Sequence, residues 1–410
     1  MTSLLRDVSI AMTLFAATAC SSASSSVTTP PPQVDAAAPV PPPSTQTTDE
    51  FQLRTNMRAL WEEHAFYTRN YIIAVVDGLP DDEAAVVGQR LFQNQIDIGV
   101  AMRPFFGVDA GNQLTALLHQ HIQGAADVLA AAIAHDDAAF KAANDAWYQN
   151  GYQIAQFLAA ANPHWDLQTT ANHMNRHLDL TLAEATARLT KDYAADVKGY
   201  DDVVDHLMTF ADFLTEGIFA QFPAIVGPSP LSSQNEALHL AMRRLWEDHV
   251  QWTRVYIIDQ TAKLPSTPFS AQRLLRNQSD IGNAIVPFYG QQAGAQLTTL
   301  LTGHITGAVA VLEAVESGDK NAIAQANDAW YANANDIAVF LAGANPNWRL
   351  ADLQFHMKLH LDQTLAEAAA HLAGQWSADV SAYDVVDAHI RQMADILSDG
   401  IAKQFPSQIP

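Results

Sequence analysis

The chain has 410 residues, 49% of them hydrophobic and 16% charged, so it is long enough for two or three folded units and too apolar for wholesale disorder. Lys plus Arg number 22 against 44 for Asp plus Glu, and the resulting formal charge of -22 repels a phosphate backbone, which excludes nucleic acid as a partner. A single cysteine rules out a disulfide framework or a cysteine-built zinc or iron–sulfur centre within one chain, leaving 15 histidines as the softer ligands.

The chain opens on MTSLLRDVSI AMTLFAATAC, with an apolar run from Val8 to Ala17 that is too short to span a bilayer and has the form of a secretory signal peptide, residues 1–19. Ala17-Thr18-Ala19-Cys20 resembles a bacterial lipobox. That resemblance implies cleavage before Cys20 and lipidation of Cys20. The protein would then be exported to the bacterial cell envelope and anchored to a membrane, periplasmic or surface-facing. The alternative is an ordinary signal peptide cut near Ala19, with Cys20 incidental. Residues 20–50 are Ser, Pro and Ala with almost no apolar bulk, which is the composition of a tether.

From there the chain is one unit written twice. MRALWEEHAFYTRNYII from Met57 recurs as MRRLWEDHVQWTRVYII from Met242, an offset of 185, and beyond Pro80 and Pro265 the offset is 183. The period is far longer than that of a solenoid, so this is a duplicated domain: repeat 1 over 51–226, a linker over 227–235 and repeat 2 over 236–410. The apolar spacing is helical throughout, and it predicts helices near 52–76, 82–102, 109–134, 137–160, 167–190 and 193–221 in the first repeat. Long helices with short connections favour antiparallel neighbours, so the expected fold is all-α, two tandem up-and-down helical bundles.

The histidines that recur are those at interior positions. Met57, Trp61, His64, Thr68 and Tyr71 form one seam, as do Leu114, Leu118, His121, Ala125 and Val128. His173 and His177 are four apart, with Glu184 further along the stripe, and His206 shares a stripe with Val203 and Phe210. Their counterparts are His249, His304, His356, His360, Glu367 and His389, whereas His119, His135, His164, His239 and His371 match no histidine. Neutral imidazoles brought together from facing helices suit a transition metal such as iron, zinc, copper or manganese, so these ten histidines with Glu184 and Glu367 are the candidate ligands. Asn94, Asp97 and Asp145, recurring as Asn277, Asp280 and Asp328, are candidates to orient the imidazoles. The same residues also fit a metal-free buried polar network. Glu62 and Arg69, seven apart on one helix, are expected to pair.

The runs W-E-[ED]-H-x-x-x-T-R-x-Y-I-I, R-L-x-x-N-Q-x-D-I-G and H-M-x-x-H-L-D-x-T-x-x-E-A resemble an uncharacterised bacterial all-helical family, with no activity to carry over. A partial resemblance is to hemerythrin, a helical bundle holding two irons through H, HxxxE, HxxxH and HxxxxD. His64, His121, His173 with His177, and His206 follow that order, but Ala125 and Ala211 stand where the carboxylates belong, so only HxxxH carries over. Together these features favour a lipoprotein that binds, stores or senses a metal, since no nucleophile or phosphate loop accompanies the histidines. A metal-dependent redox or hydrolytic enzyme and a metal-free interaction module are the alternatives.

Overall fold

The structure is a computed structural model that describes residues 48–409. The signal peptide, Cys20 and the tether up to residue 47 lie outside the described residues. The first repeat contributes α1 (Glu50–Asp77), α2 (Asp81–Phe106), α3 (Val108–Ile133), α4 (Asp137–Ala161), α5 (Leu167–Leu189) and α6 (Tyr193–Gln221). The second contributes α7 (Ser233–Thr261), α8 (Thr267–Ala284), α9 (Val286–Ser317), α10 (Lys320–Ala344), α11 (Leu350–Leu372) and α12 (Trp376–Gln404). Two-residue strands β1 (Thr48–Asp49) and β2 (Val226–Gly227) pair in parallel. The fold is therefore all-α, as the periodicity predicts.

Short polar side chains start many of these helices by accepting from backbone N–H groups that lack a partner in the first turn. Asp136 accepts from Ala139 N at 2.9 Å at the head of α4, Asp319 from Asn321 N at 2.9 Å at α10, and Ser232 from Asn235 N at 3.2 Å at α7. Glycine supplies one break. Gly107 (φ 87°) separates α2 from α3, and its counterpart Gly290 (φ 83°) interrupts the first turns of α9, a left-handed conformation that costs glycine nothing. Pro287, in the first turn of α9, sits where a missing N–H is tolerated.

Two compact units divide the chain. One holds Gln95–Asn175 and Thr209–Pro228 with the described residues up to Leu60. In it α3 packs on α4, and Arg58 grips Asp212 through Nε at 2.7 Å. The other holds all of the second repeat together with Trp61–Asn94 and Arg176–Met208 of the first. There each helix from α7 to α12 packs on the next, and α7 also packs on α11 and α12.

Within this second unit the repeats meet through buried charge. Arg69 donates to Glu184 at 2.8 Å and to Asp196 at 3.0 and 3.1 Å, with its guanidinium 4.9 Å from the ring centre of Trp252 in the other repeat. Its counterpart Arg254 does the same with Glu367 at 3.0 Å and Asp379 at 2.7 and 2.8 Å. Arg90 of the first repeat reaches Asp384 of the second at 2.8 Å, while the equivalent Arg273 reaches Asp201 at 3.0 Å, and Asp201 and Asp384 are themselves equivalent. Such reciprocity is that of a two-fold axis relating the repeats at this junction. The expected Glu62–Arg69 pair does not form. Seven residues are two turns, about 10 Å along the axis, and Glu62 instead accepts from Arg244 at 3.0 Å and Gln251 at 2.9 Å.

Candidate metal centre

The second repeat places three imidazoles in one dry cluster. Spacings of four and three put Met242, Trp246 and His249 on the buried face of α7, Leu297, Leu301 and His304 on that of α9, and Leu353, Met357 and His360 on that of α11. His249 and His304 are 2% exposed and His360 4%. The ring centres form a near-equilateral triangle, 5.5 Å for His249–His360, 5.9 Å for His249–His304 and 5.8 Å for His304–His360. One nitrogen of each lies within 4.8 Å of the others. Three imidazoles on a tetrahedral ion, with bonds of about 2.05 Å, would have ring centres about 5.2 Å apart. The triangle is that of a three-histidine site opened by a few tenths of an ångström, and it can hold a metal ion.

Electrostatics keeps these rings in the form a metal needs. Burial pushes His249 down to about 4; burial and the neighbouring His249 push His304 down to about 3; and burial with three neighbouring histidines holds His360 well below the usual imidazole range. All three are neutral at pH 7 with lone pairs available. Their Nδ1 atoms are buried without hydrogen-bond partners. Two amides stand ready beside them. Asn333 donates from Nδ2 to Leu300 O at 3.1 Å, and Gln278 from Nε2 to Leu274 O at 2.8 Å, so each has its nitrogen pinned and its oxygen left without a partner. Asn333 opposes the burial that lowers His304, and Gln278 does the same for His249. An acceptor at Nδ1–H fixes the tautomer that turns the Nε2 lone pair toward the centre.

Packing holds the rings in place. The Trp330 ring lies 5.4 Å from that of His304, and Trp246 stands edge-on to His249 at 5.7 Å. Gly307 admits Trp330, because a Cβ there would lie 2.8 Å from its Cδ1. Beyond the triad the histidines continue: His389 lies 6.5 Å from His360, ring to ring, and its Nε2 meets His356 Nδ1 at 3.1 Å. All five recurrent histidines of this repeat thus form one chain, with three of them close enough to share an ion.

The first repeat shows the same local environments. His64 Nε2 and His177 Nε2 face each other at 3.3 Å, which is the separation of two ligands on a tetrahedral ion with bonds of about 2.05 Å. His121 is buried against Trp147 with ring centres 5.4 Å apart, beside Asn150, whose Nδ2 is pinned to Leu117 O at 3.1 Å. Burial pushes His121 down to about 4, with Asn150 opposing. His121, Trp147 and Asn150 thus reproduce the setting of His304, Trp330 and Asn333.

Other expected site residues go elsewhere. Glu184 and Glu367 are gripped by Arg69 and Arg254, two helical turns from His177 and His360, too far along the axis to share an ion with them. His173 stacks on Phe210 and Phe213, at 5.3 and 5.0 Å, and His206 is half-buried on α6. Asp145 and Asp328 are exposed, the former paired with Lys141, so neither orients a ring. Asp97 and Asp280 are half-buried, and Asp280 lies 3.9 Å from Arg276. Asn94 and Asn277 are fully buried, and Asn277 acts one step back by accepting from Gln278 at 3.1 Å. The sequence reasoning missed Asn150, Asn333 and Gln278. For Asn150 and Asn333 the signal was an amide recurring at the same offset on an otherwise apolar helix face, whereas Gln278 shares its buried face with Ser270, Arg273 and Asn277. The chain matches no family model, no curated protein and no solved structure.

Proposed function

We propose that the protein is a metal-binding protein of the cell envelope that holds one transition-metal ion among three histidines in each repeat. The observation that carries this is the triad of His249, His304 and His360, buried, neutral and short of hydrogen-bond partners at Nδ1, beside amide oxygens likewise unpaired. Three neutral imidazoles gathered into one dry triangle, each with a nitrogen within 4.8 Å of the others, need a reason, and an ion shared among them supplies it. By sequence correspondence His64, His121 and His177 take the same roles in the first repeat. An all-imidazole set suits zinc, copper or iron better than manganese, which prefers oxygen ligands. Binding, storage or sensing fits better than hydrolysis, because Glu367, the nearest candidate base along α11, is held by Arg254. The lipobox-like Ala17–Cys20 segment supports lipid anchoring at Cys20, and Cys20→Ser should release the protein from the membrane fraction.

The test is metal content after purification and equilibration with excess zinc, copper or iron at neutral pH. Wild type should carry close to two ions per chain, His304→Ala close to one, and His119→Ala, which changes a histidine with no counterpart, close to two. A wild-type chain that takes up no metal overturns the reading.

A further inference from the structure

Directly beyond the triad, one turn along each of its helices, lies an apolar cavity of about 120 Å³. Thr253 on α7, Ile305 and Ala308 on α9, and Thr364 on α11 contribute its walls, and so does Trp330, the same ring that packs against His304. Both threonines are disarmed as polar groups. Thr253 Oγ1 donates to His249 O at 2.7 Å and Thr364 Oγ1 to His360 O at 2.9 Å, which satisfies each hydroxyl on its own helix and leaves a methyl for the cavity. The space reaches the surface beside Val315 and Leu372, two of its lining residues that are 39% and 38% exposed.

A close-packed interior leaves few voids of this size, and an apolar void near 150 Å³ stays dry and takes up benzene or xenon. Water is a poor occupant here for want of polar partners. We infer that this cavity is a binding site for a small apolar molecule, a hydrocarbon no larger than a benzene ring, entering between Val315 and Leu372 and resting against Trp330. The site goes beyond the metal reading and stands without it, because its walls are side chains other than the triad.

Benzene is the solution probe, titrated into the full chain carrying Cys20→Ser, once after chelation and once loaded with metal. Wild type should show saturable binding, seen as shifts in tryptophan fluorescence and a rise in Tm. Ala308→Leu on α9 and Ala368→Leu on α11, both at lining positions, fill the space and should each weaken binding at least tenfold while retaining wild-type circular dichroism. Absence of saturable binding in both metal states, or unchanged affinity in the folded variants, overturns the inference. Should the variants not fold, a crystal of the wild type under xenon pressure decides, with xenon between Trp330 and Leu312 supporting the site and xenon only elsewhere refuting it. Failure of the metal reading would appear as benzene binding without metal uptake, so the two failures are distinct.

Discussion

Two buried polar regions lie within the same compact unit, and they solve the problem of burial in opposite ways. At the junction of the repeats two buried arginines have counter-charges at hydrogen-bond distance: Arg69 has Glu184 and Asp196, and Arg254 has Glu367 and Asp379. In the triad of the second repeat no opposite charge is present and the Nδ1 atoms have no partner. These arginine clusters carry their own counter-charges, so they are read as structure. The triad is incomplete as it stands, so it is read as a site. Burial alone does not separate the two, since Arg69 and His249 are equally inaccessible. The difference lies in whether the protein itself supplies the partner.

The largest expected effect comes from breaking an arginine cluster. Arg69→Met leaves Glu184 without its hydrogen-bonded cation and Asp196 with Arg188 alone, and removing one partner of a buried pair costs about 3–5 kcal/mol. Its Tm should fall steeply in denaturation experiments, by the same amount with and without chelator. His304→Leu should behave in the reverse manner. In chelated protein it replaces a neutral, underbonded ring with an apolar side chain and should change Tm little, whereas in metal-loaded protein it should remove much of the stabilisation that binding supplies. That stabilisation is about 2.7 kcal/mol per site at a hundredfold excess over Kd. A chelator that leaves the wild-type Tm unmoved would place the triad with the junction as mere structure.

Acidity separates the regions by sign. Burial pushes Glu184 and Glu367 up to about 7 despite the adjacent arginines. Between about pH 4.5 and 7 the native state therefore holds more protons on these groups than the unfolded chain, and their contribution to stability is lost as pH rises through that window. The histidines run the other way. With native values of about 4 and 3 for His249 and His304, the unfolded chain holds the extra protons up to about pH 6.5, and their contribution is lost as pH falls. In chelated protein Glu184→Gln should thus make stability rise more steeply with pH, and His304→Leu should make it rise less, by about 1–3 kcal/mol between pH 5 and 7. Equal slopes in wild type and Glu184→Gln would refute the assignment of a raised native pKa to Glu184.

Much of this was legible in the chain because it was written twice. Periodicity gave the helices, and recurrence picked out His249, His304 and His360, since a residue kept at interior spacing in two copies is doing the same work in both. Recurrence also misled. Arg244, which holds Glu62, stands opposite Ala59, and Arg391, which reaches Glu247 at 3.3 Å, stands opposite Met208. Residues that serve a junction between the copies need not match, because each copy can contribute a different half of a contact. Glu184 and Glu367 do match, yet they were assigned to the wrong partner, because a helical stripe fixes a face and not a height along the axis. Separating a ligand from a residue two turns away requires knowing where the facing helix cross-section lies, and only the packed structure holds that.

The smallest effect sharpens the comparison inside the site itself. Asn333 and Asp328 both recur and both lie on α10, but the sequence pointed to Asp328 as the residue that orients an imidazole. Asn333 is pinned through Nδ2 and leaves its oxygen beside His304, while Asp328 is exposed. Loss of a hydrogen-bond acceptor behind a metal-binding histidine typically lowers metal affinity 10- to 100-fold, so Asn333→Ala should weaken uptake by the second repeat on that scale, read by competition with a chelator of known affinity. Its effect on the chelated protein should be small, because the Nδ1–H to Oδ1 bond is not yet made there. Asp328→Ala should leave metal affinity unchanged and shift stability by no more than about 0.5 kcal/mol, as exposed substitutions do. If the two variants bind metal equally well, Asn333 merely fills space beside the ring, and the imidazole takes its orientation from Trp330 alone.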